Sequence, residues 1–192
     1  DVAAVVTHQD DPNEEIWFRS VPALARESGL PTYTPKDPNT PEFVELIEGL
    51  QPDLLFSFYY RHMLKAPLLA IPSRGCLNLH GSYLPSYRGR CPVNWVLVNG
   101  ETETGVTLHY MVEKPDAGDI VAQRKVPIAF EDTAATLYDK LTVAAQSMFA
   151  ETLPLLAAEI APRIPQDHSQ ASYYGGRKPA DGHFEWHWPA RR

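Results

Sequence analysis

The stretch CLNLHGSYLPSYRGRCPVNW, Cys76 to Trp95, decides how this chain is read. Gly75 to His80 follows the turn signal IPSRG and reads as a short strand. Residues two apart on a strand point to the same face, so Asn78 and His80 project side by side. An amide beside an acid–base group suits acyl transfer. The amide and an imidazolium can hydrogen-bond an oxyanion, and a neutral imidazole can take a proton from an attacking amine. A nearby carboxylate would favour the charged histidine and fix its orientation. Asp116 is the best candidate for that carboxylate, because it sits in a Pro-Asp-Ala-Gly turn after a predicted strand, where loops gather around a site. The competing interpretation makes Asn78 a turn former, His80 a partly exposed strand end and Asp116 a turn cap.

Strands and helices alternate on both sides of this stretch. Upstream, Val2 to Thr7 is an apolar run suited to a buried parallel strand, and Val21, Leu24 and Ala25 keep helical spacing until Gly29 and Pro31. Thr40 and Pro41 read as an N-cap and first helical position for a helix that buries Phe43, Ile47 and Leu50, and DLLFSFYY at 53 to 60 reads as a strand. Downstream, Pro92 opens a helix that ends at Asn99-Gly100, and Gly105 to Val112 and Asp119 to Ala129 are strands joined by the polar link EKPDAG. Asp132 is placed to cap a long helix with Leu137, Leu141, Ala145 and Met148 on one side, which Pro154 should kink or end. This alternation predicts an α/β protein with an open, mostly parallel sheet and a ligand site outside the carboxyl ends of its strands. Residues 1–160 are expected to form the catalytic domain. Residues 161–192, where the pattern fades, are expected to be a linker and the start of a C-terminal subdomain.

Composition narrows the partners. A chain of 192 residues with 44% hydrophobic content can bury one sizeable core. Its formal net charge is −7 and it has no block of five Lys or Arg, so no nucleic-acid partner is expected and a small molecule is favoured. No apolar stretch approaches the roughly 20 residues that span a bilayer, and two cysteines are too few for a disulfide scaffold; both point to a reducing, cytoplasmic setting. No metal is expected. HFEWH at 183 to 187 lacks the glutamate placement of a zinc-protease helix, and the other histidines have no metal-ligand spacing. The chain has no P-loop, GxGxxG or serine nucleophile elbow.

Three motifs then carry a family resemblance: Asn-Leu-His at 78 to 80, SYLPSYRG at 82 to 89, and PDAGD at 115 to 119. In this order they resemble the folate-dependent formyltransferases. FSFYYRHML at 56 to 64, PVNWVLVNGETETGVTLHYMV at 92 to 112 and FEWHWPA at 184 to 190 extend the likeness toward the branch that formylates UDP-4-amino-4-deoxy-L-arabinose in lipid A modification and polymyxin resistance. The resemblance implies a Rossmann-like formyltransferase fold with helices on both faces of the sheet. It also implies a further N-terminal strand, central to that sheet, ahead of Val2 to Thr7. Carried over, Asn78 stabilises the oxyanion, His80 is the acid–base histidine, and Asp116 raises its pKa. The resemblance assigns 10-formyltetrahydrofolate, with no metal, to His62, Met63, Leu64, Arg90, Val112, Glu113, Lys114 and Pro115; the plain alternative for Met63 and Leu64 is core packing. It leaves open a homo-oligomer and fusion to a decarboxylating dehydrogenase domain. Competing acceptors are Met-tRNA, disfavoured by the acidic balance, and other amino-sugar nucleotides. Further options are formyltetrahydrofolate hydrolysis and an inert module on the same fold.

Overall fold

The computed structural model describes residues 1–11, 13 and 19–188. In chain order its elements are β1 (Val5–Val6), α1 (Val21–Glu27), β2 (Thr32–Tyr33), α2 (Pro41–Gly49), β3 (Leu55–Phe58), α3 (Ala66–Leu69), β4 (Cys76–His80), β5 (Arg88–Gly89), α4 (Pro92–Val98), β6 (Glu103–Tyr110), β7 (Ile120–Pro127), α5 (Ala134–Ala157) and β8 (Tyr173–Tyr174). They fall into two compact units. One holds Asp1–Leu55 and Tyr60–Gly75, the other Phe56–Tyr59 and the residues from Cys76 onward.

In the first unit β1 and β2 pair in parallel, Val5 with Thr32 and Val6 with Tyr33. Ser20 caps α1 by accepting from the Ala23 amide at 3.2 Å, and Thr40 caps α2 by accepting from the Phe43 amide at 3.4 Å. Each helix also has a proline in its first turn, where no hydrogen bond is lost. Gly29 follows α1 at φ 67°, a left-handed position that stops a helix cheaply only with glycine.

The second unit is built on a four-stranded sheet of order β3-β4-β6-β7. β4 and β6 run antiparallel with Asn78 opposite His109 and His80 opposite Thr107. β6 and β7 are also antiparallel, and their register shifts between Leu108 and His109. Such a bulge re-aims the side chain at the irregularity, and here that side chain is His109. Leu77, Val106 and Leu108 are completely buried, and α5 lays Leu137, Leu141, Ala145 and Met148 against the sheet side of the unit.

The α/β class is the expected one, with a mixed sheet. Parallel pairing appears in β1–β2 and in β5–β8, whereas β4, β6 and β7 are antiparallel. The link from Met111 to Asp119 is too short for the crossover that parallel strands need, so β6 and β7 form a hairpin. Two helix details also differ from expectation. Thr133, not Asp132, is the N-cap of α5, in a reciprocal capping box with Thr136, while Asp132 accepts from the Ala129 amide and pairs with Lys140. α5 runs through Pro154 to Ala157 because Met148, Thr152 and Leu156 bury the same face, and the Thr152 hydroxyl donates back to the Met148 carbonyl at 2.7 Å.

The segment past Ala161, where no periodicity is visible, adds main-chain links to the second unit. Ile164 and Ile120 exchange backbone hydrogen bonds of 2.8 and 2.9 Å. β8 lies parallel to β5, Tyr173 beside Arg88 and Tyr174 beside Gly89. Of the block FEWHWPA, Pro189 and Ala190 lie outside the described residues.

Candidate active site

Strand geometry brings Asn78 and His80 onto one face of β4, and the β6–β7 turn brings Asp116 to them. His80 is 6% exposed. Its Nδ1 lies 3.6 Å from Asp116 Oδ1, and its Nε2 lies 2.8 Å from the Tyr87 carbonyl oxygen. Asp116 sits at φ 54°, in the left-handed region that Asp tolerates better than most residues, and its Oδ2 accepts from the Gly89 amide at 2.8 Å. Asn78, His80 and Asp116 are therefore gathered within the second unit around Tyr87–Gly89.

His109 completes the group. Its Nδ1 is 2.8 Å from the Tyr110 carbonyl and must donate to it. In the neutral ring Nε2 is then an acceptor, matched to the Asn78 amide nitrogen at 3.3 Å. The same Nε2 is 3.5 Å from Asp116 Oδ1. One Asn78 N–H is engaged in this way.

Two acceptors, Asp116 and the Tyr87 carbonyl, flank the His80 ring and favour its cation. Burial outweighs both, and with His109 and Arg88 adding to the fall it holds His80 below the ordinary histidine range. The carboxylate thus acts in the upward direction that the resemblance implies, but the net direction is downward. For Asp116, burial pushes upward, yet the His109 contact and the His80 charge, which act while those rings are protonated, and the Gly89 amide overcome it and hold the carboxyl below the usual carboxylate range. The resting pair at neutral pH is a neutral imidazole beside a carboxylate. A neutral imidazole is the form able to accept a proton.

Both shifts make stability depend on pH with the same sign. Unfolded histidine takes up a proton at its ordinary pKa while folded His80 resists, so the unfolded state binds more protons in between and stability rises with pH there. The His80 contribution is complete above the ordinary histidine range and is lost as pH falls from it toward the depressed folded value. That of Asp116 is present above the ordinary aspartate range and is lost as pH falls through its depressed folded value. The urea midpoint should therefore drop between about pH 7.5 and about pH 5.5, and His80→Gln should flatten that slope. An identical slope in His80→Gln would count against the buried neutral histidine.

The remaining candidate residues lie in different units. His62, Met63 and Leu64 belong to the first. There the His62 ring is 5.2 Å from that of His8 and 5.7 Å from that of Tyr60, and the Met63 carbonyl accepts from Asn39 Nδ2 at 3.0 Å. Met63 is 59% exposed, so it does not fill a core. Arg90, Val112, Glu113, Lys114 and Pro115 belong to the second unit and are exposed there. The Arg90 amide donates to the Tyr174 carbonyl at 2.8 Å, and the Lys114 ammonium lies 5.3 Å from the centre of the Tyr173 ring.

In the HFEWH stretch His183 pairs with Glu185 at 2.9 Å. Among the described residues, no three His, Cys, Asp or Glu side chains group as a metal ion requires, and no helix is long and apolar enough to cross a membrane. Three contributors escape a reading of the sequence: His109, the Tyr87 carbonyl and the buried Gln166, whose amide nitrogen donates to the Asp116 and Gly118 carbonyls at 2.9 and 2.6 Å. For His109 the signal was available, since pairing the two predicted strands antiparallel puts it opposite Asn78. For the other two there was none.

Residues 1–153 match the formyl transferase family. The chain is similar in structure to WlaRD, a sugar 3N-formyl transferase seen in the presence of dTDP and 5-N-formyl-THF, with 22% identity and a TM-score of 0.72 over 90% of this chain and 59% of that one. It is similar to the formyltransferase PseJ from Anoxybacillus kamchatkensis, in complex with UDP-4,6-dideoxy-4-formamido-L-AltNAc and tetrahydrofolate, with 25% identity and a TM-score of 0.67 over 90% and 85% of the two chains. Phosphoribosylglycinamide formyltransferase from Bacillus halodurans is 26% identical, with a TM-score of 0.72 over 83% and 82%. The chain thus spans less than two thirds of WlaRD.

Proposed function

Because the chain belongs to the formyl transferase family, we propose that it transfers a formyl group from 10-formyltetrahydrofolate to the amine of a nucleotide-linked amino sugar. The observation that carries this reading is the meeting of Asn78, His80 and Asp116 at the end of β4. In the proposed reaction the neutral sugar amine attacks the formyl carbon and the carbonyl oxygen becomes an oxyanion. The free Asn78 N–H stabilises that oxyanion, and His80 takes the proton released by nitrogen. Collapse of the tetrahedral intermediate returns a proton to the folate nitrogen and releases tetrahydrofolate. His80 reaches the substrate by giving up one of its present acceptors, and Asp116 stabilises the imidazolium as it forms.

His62, Met63 and Leu64, with Arg90 and Val112 to Pro115, are the groups we assign to the folate. In the second unit the exposed Val112 side chain offers apolar surface to a flat ring, and the Arg90 guanidinium offers a cation to its acidic tail; in the first unit Met63 is exposed as well. For the acceptor we favour UDP-4-amino-4-deoxy-L-arabinose, the substrate of the formyltransferase domain of the bifunctional polymyxin-resistance protein ArnA, which the motif blocks resemble. Similarity to PseJ, whose complex holds a UDP-linked 4-formamido sugar, supports an acceptor of this class. On this reading residues 1–160 are catalytic and residues 161–192 lead into a C-terminal subdomain. The protein would act in lipid A modification in the cytoplasm, as a homo-oligomer or fused to a decarboxylating dehydrogenase.

The test is folate release on incubating the full-length protein with 10-formyltetrahydrofolate and either the UDP-amino sugar or Met-tRNA. Turnover with the UDP-amino sugar alone is the expected result. Turnover with Met-tRNA alone would overturn the choice of acceptor.

A further inference from the structure

Gln166 lies beyond the stretch that matches the family, yet it is 7% exposed and every function of its amide group is engaged. Its Nε2 donates to the Asp116 carbonyl at 2.9 Å and to the Gly118 carbonyl at 2.6 Å. Its Oε1 accepts from Arg88 Nη2, and the fully buried Arg88 guanidinium also reaches the Tyr173 hydroxyl at 2.8 Å and His168 Nδ1 at 3.0 Å. Neighbouring residues of the same segment hold the other side of the site. The Ser172 hydroxyl accepts from the Tyr87 amide at 2.8 Å, and the Ser172 carbonyl accepts from the Arg88 amide at 2.9 Å.

We infer that Gln166 is a positioning residue for Asp116, tying the carboxylate's own backbone to the Tyr87–Gly89 segment that holds His80 and the Asp116 side chain. The physical reason is the left-handed backbone at Asp116. That conformation costs an L residue energy and persists only where its surroundings over-determine it. Gln166 fixes the carbonyl of this residue while the Gly89 amide fixes its carboxylate, so two independent anchors set the distance to His80. Hydrogen bonds to buried groups are expensive to leave unmade, so losing Gln166 should let the turn relax rather than keep its place. The groups facing His80 are Asp116 from the β6–β7 turn, His109 from β6, Arg88 from β5 and the Tyr87 carbonyl. Of these, the Asp116 turn and Arg88 both depend on Gln166.

The kinetic part of the test rests on the reading above; the spectroscopic part does not. In Gln166→Met, kcat should fall about 10- to 100-fold, with KM for both substrates within about twofold. Without substrate, the Asp116 carboxyl followed by NMR should titrate closer to the ordinary aspartate range, and the Gly89 amide proton should shift upfield as its hydrogen bond lengthens. Should Gln166→Met fail to fold, Gln166→Glu keeps an acceptor for Arg88 but, when ionised, cannot donate to the two carbonyls, so the Gly89 amide should shift in the same way. A lowered Tm with kcat, the Asp116 titration and the Gly89 amide all unmoved would show a merely structural clamp and overturn the inference. Absence of turnover in the wild type with every acceptor would instead defeat the functional reading, leaving the NMR measurements to judge Gln166.

Discussion

On the proposed reaction, Asn78→Ala should lower kcat for formyl transfer by about 10²–10³, the usual loss when one oxyanion donor is removed, and leave KM for both substrates within a few-fold. The asymmetry follows from where the amide acts. On the proposed mechanism its second N–H meets charge that exists only in the tetrahedral state, so its loss should raise the barrier without weakening ground-state binding. Asn78 is half-buried and donates a long hydrogen bond of 3.3 Å to the buried His109, so the fold should survive truncation. Asn78→Asp is a useful second variant. It preserves shape but replaces the donor with an anion beside His109, which itself lies 3.5 Å from Asp116, and it should lose at least as much activity. Single-turnover formyl transfer, with circular dichroism to show an intact fold, is the measurement. Near wild-type turnover in Asn78→Ala would remove Asn78 from the chemistry.

Gly89→Ala should cost both stability and activity. At φ 96° the backbone is one that an L side chain rarely adopts, a strain of about 1–3 kcal/mol. An added Cβ would also stand 2.2 Å from the Tyr174 carbonyl oxygen, a contact that neither backbone can absorb without moving. β5 and β8 are held together there by Arg88 and Arg90 donating to Ser172 and Tyr174, so the pairing must loosen. The Gly89 amide would leave Asp116 with it. For a chain of this size each kcal/mol lost is worth about 2–4 °C in Tm, so a fall of several degrees is expected, together with reduced kcat. Unchanged Tm and activity would mean that the close approach of Gly89 to Tyr174 has no bearing on the site. Gln166→Met should disturb the same carboxylate from the opposite anchor, and because the two sites share Asp116, the double variant should fall short of additivity.

Much of the local structure was legible because its signals are local. The spacing of Val21, Leu24 and Ala25 marked α1, Thr40 before Pro41 marked α2, and Pro92 marked α4. The side-chain alternation of a strand put Asn78 and His80 on one face before any neighbour was known. Pro154 does not end α5, because a buried face of Met148, Thr152 and Leu156 holds the last turn together from outside. Asp132 misled by a single position, since Thr133 beside it caps as well and has Thr136 to reciprocate.

By itself the sequence determined the class of the fold, the paired amide and imidazole, Asp116 as the candidate carboxylate, and a family resemblance that gave these residues roles. Only the tertiary structure brought in His109, 31 residues from Asn78, through strand register, and Gln166, 50 residues from Asp116, through the β5–β8 segment. It also decided that burial, rather than the carboxylate, governs the resting charge of His80. Spacing along a chain encodes which way a side chain points, but burial and long-range hydrogen bonds depend on which distant segments close upon it.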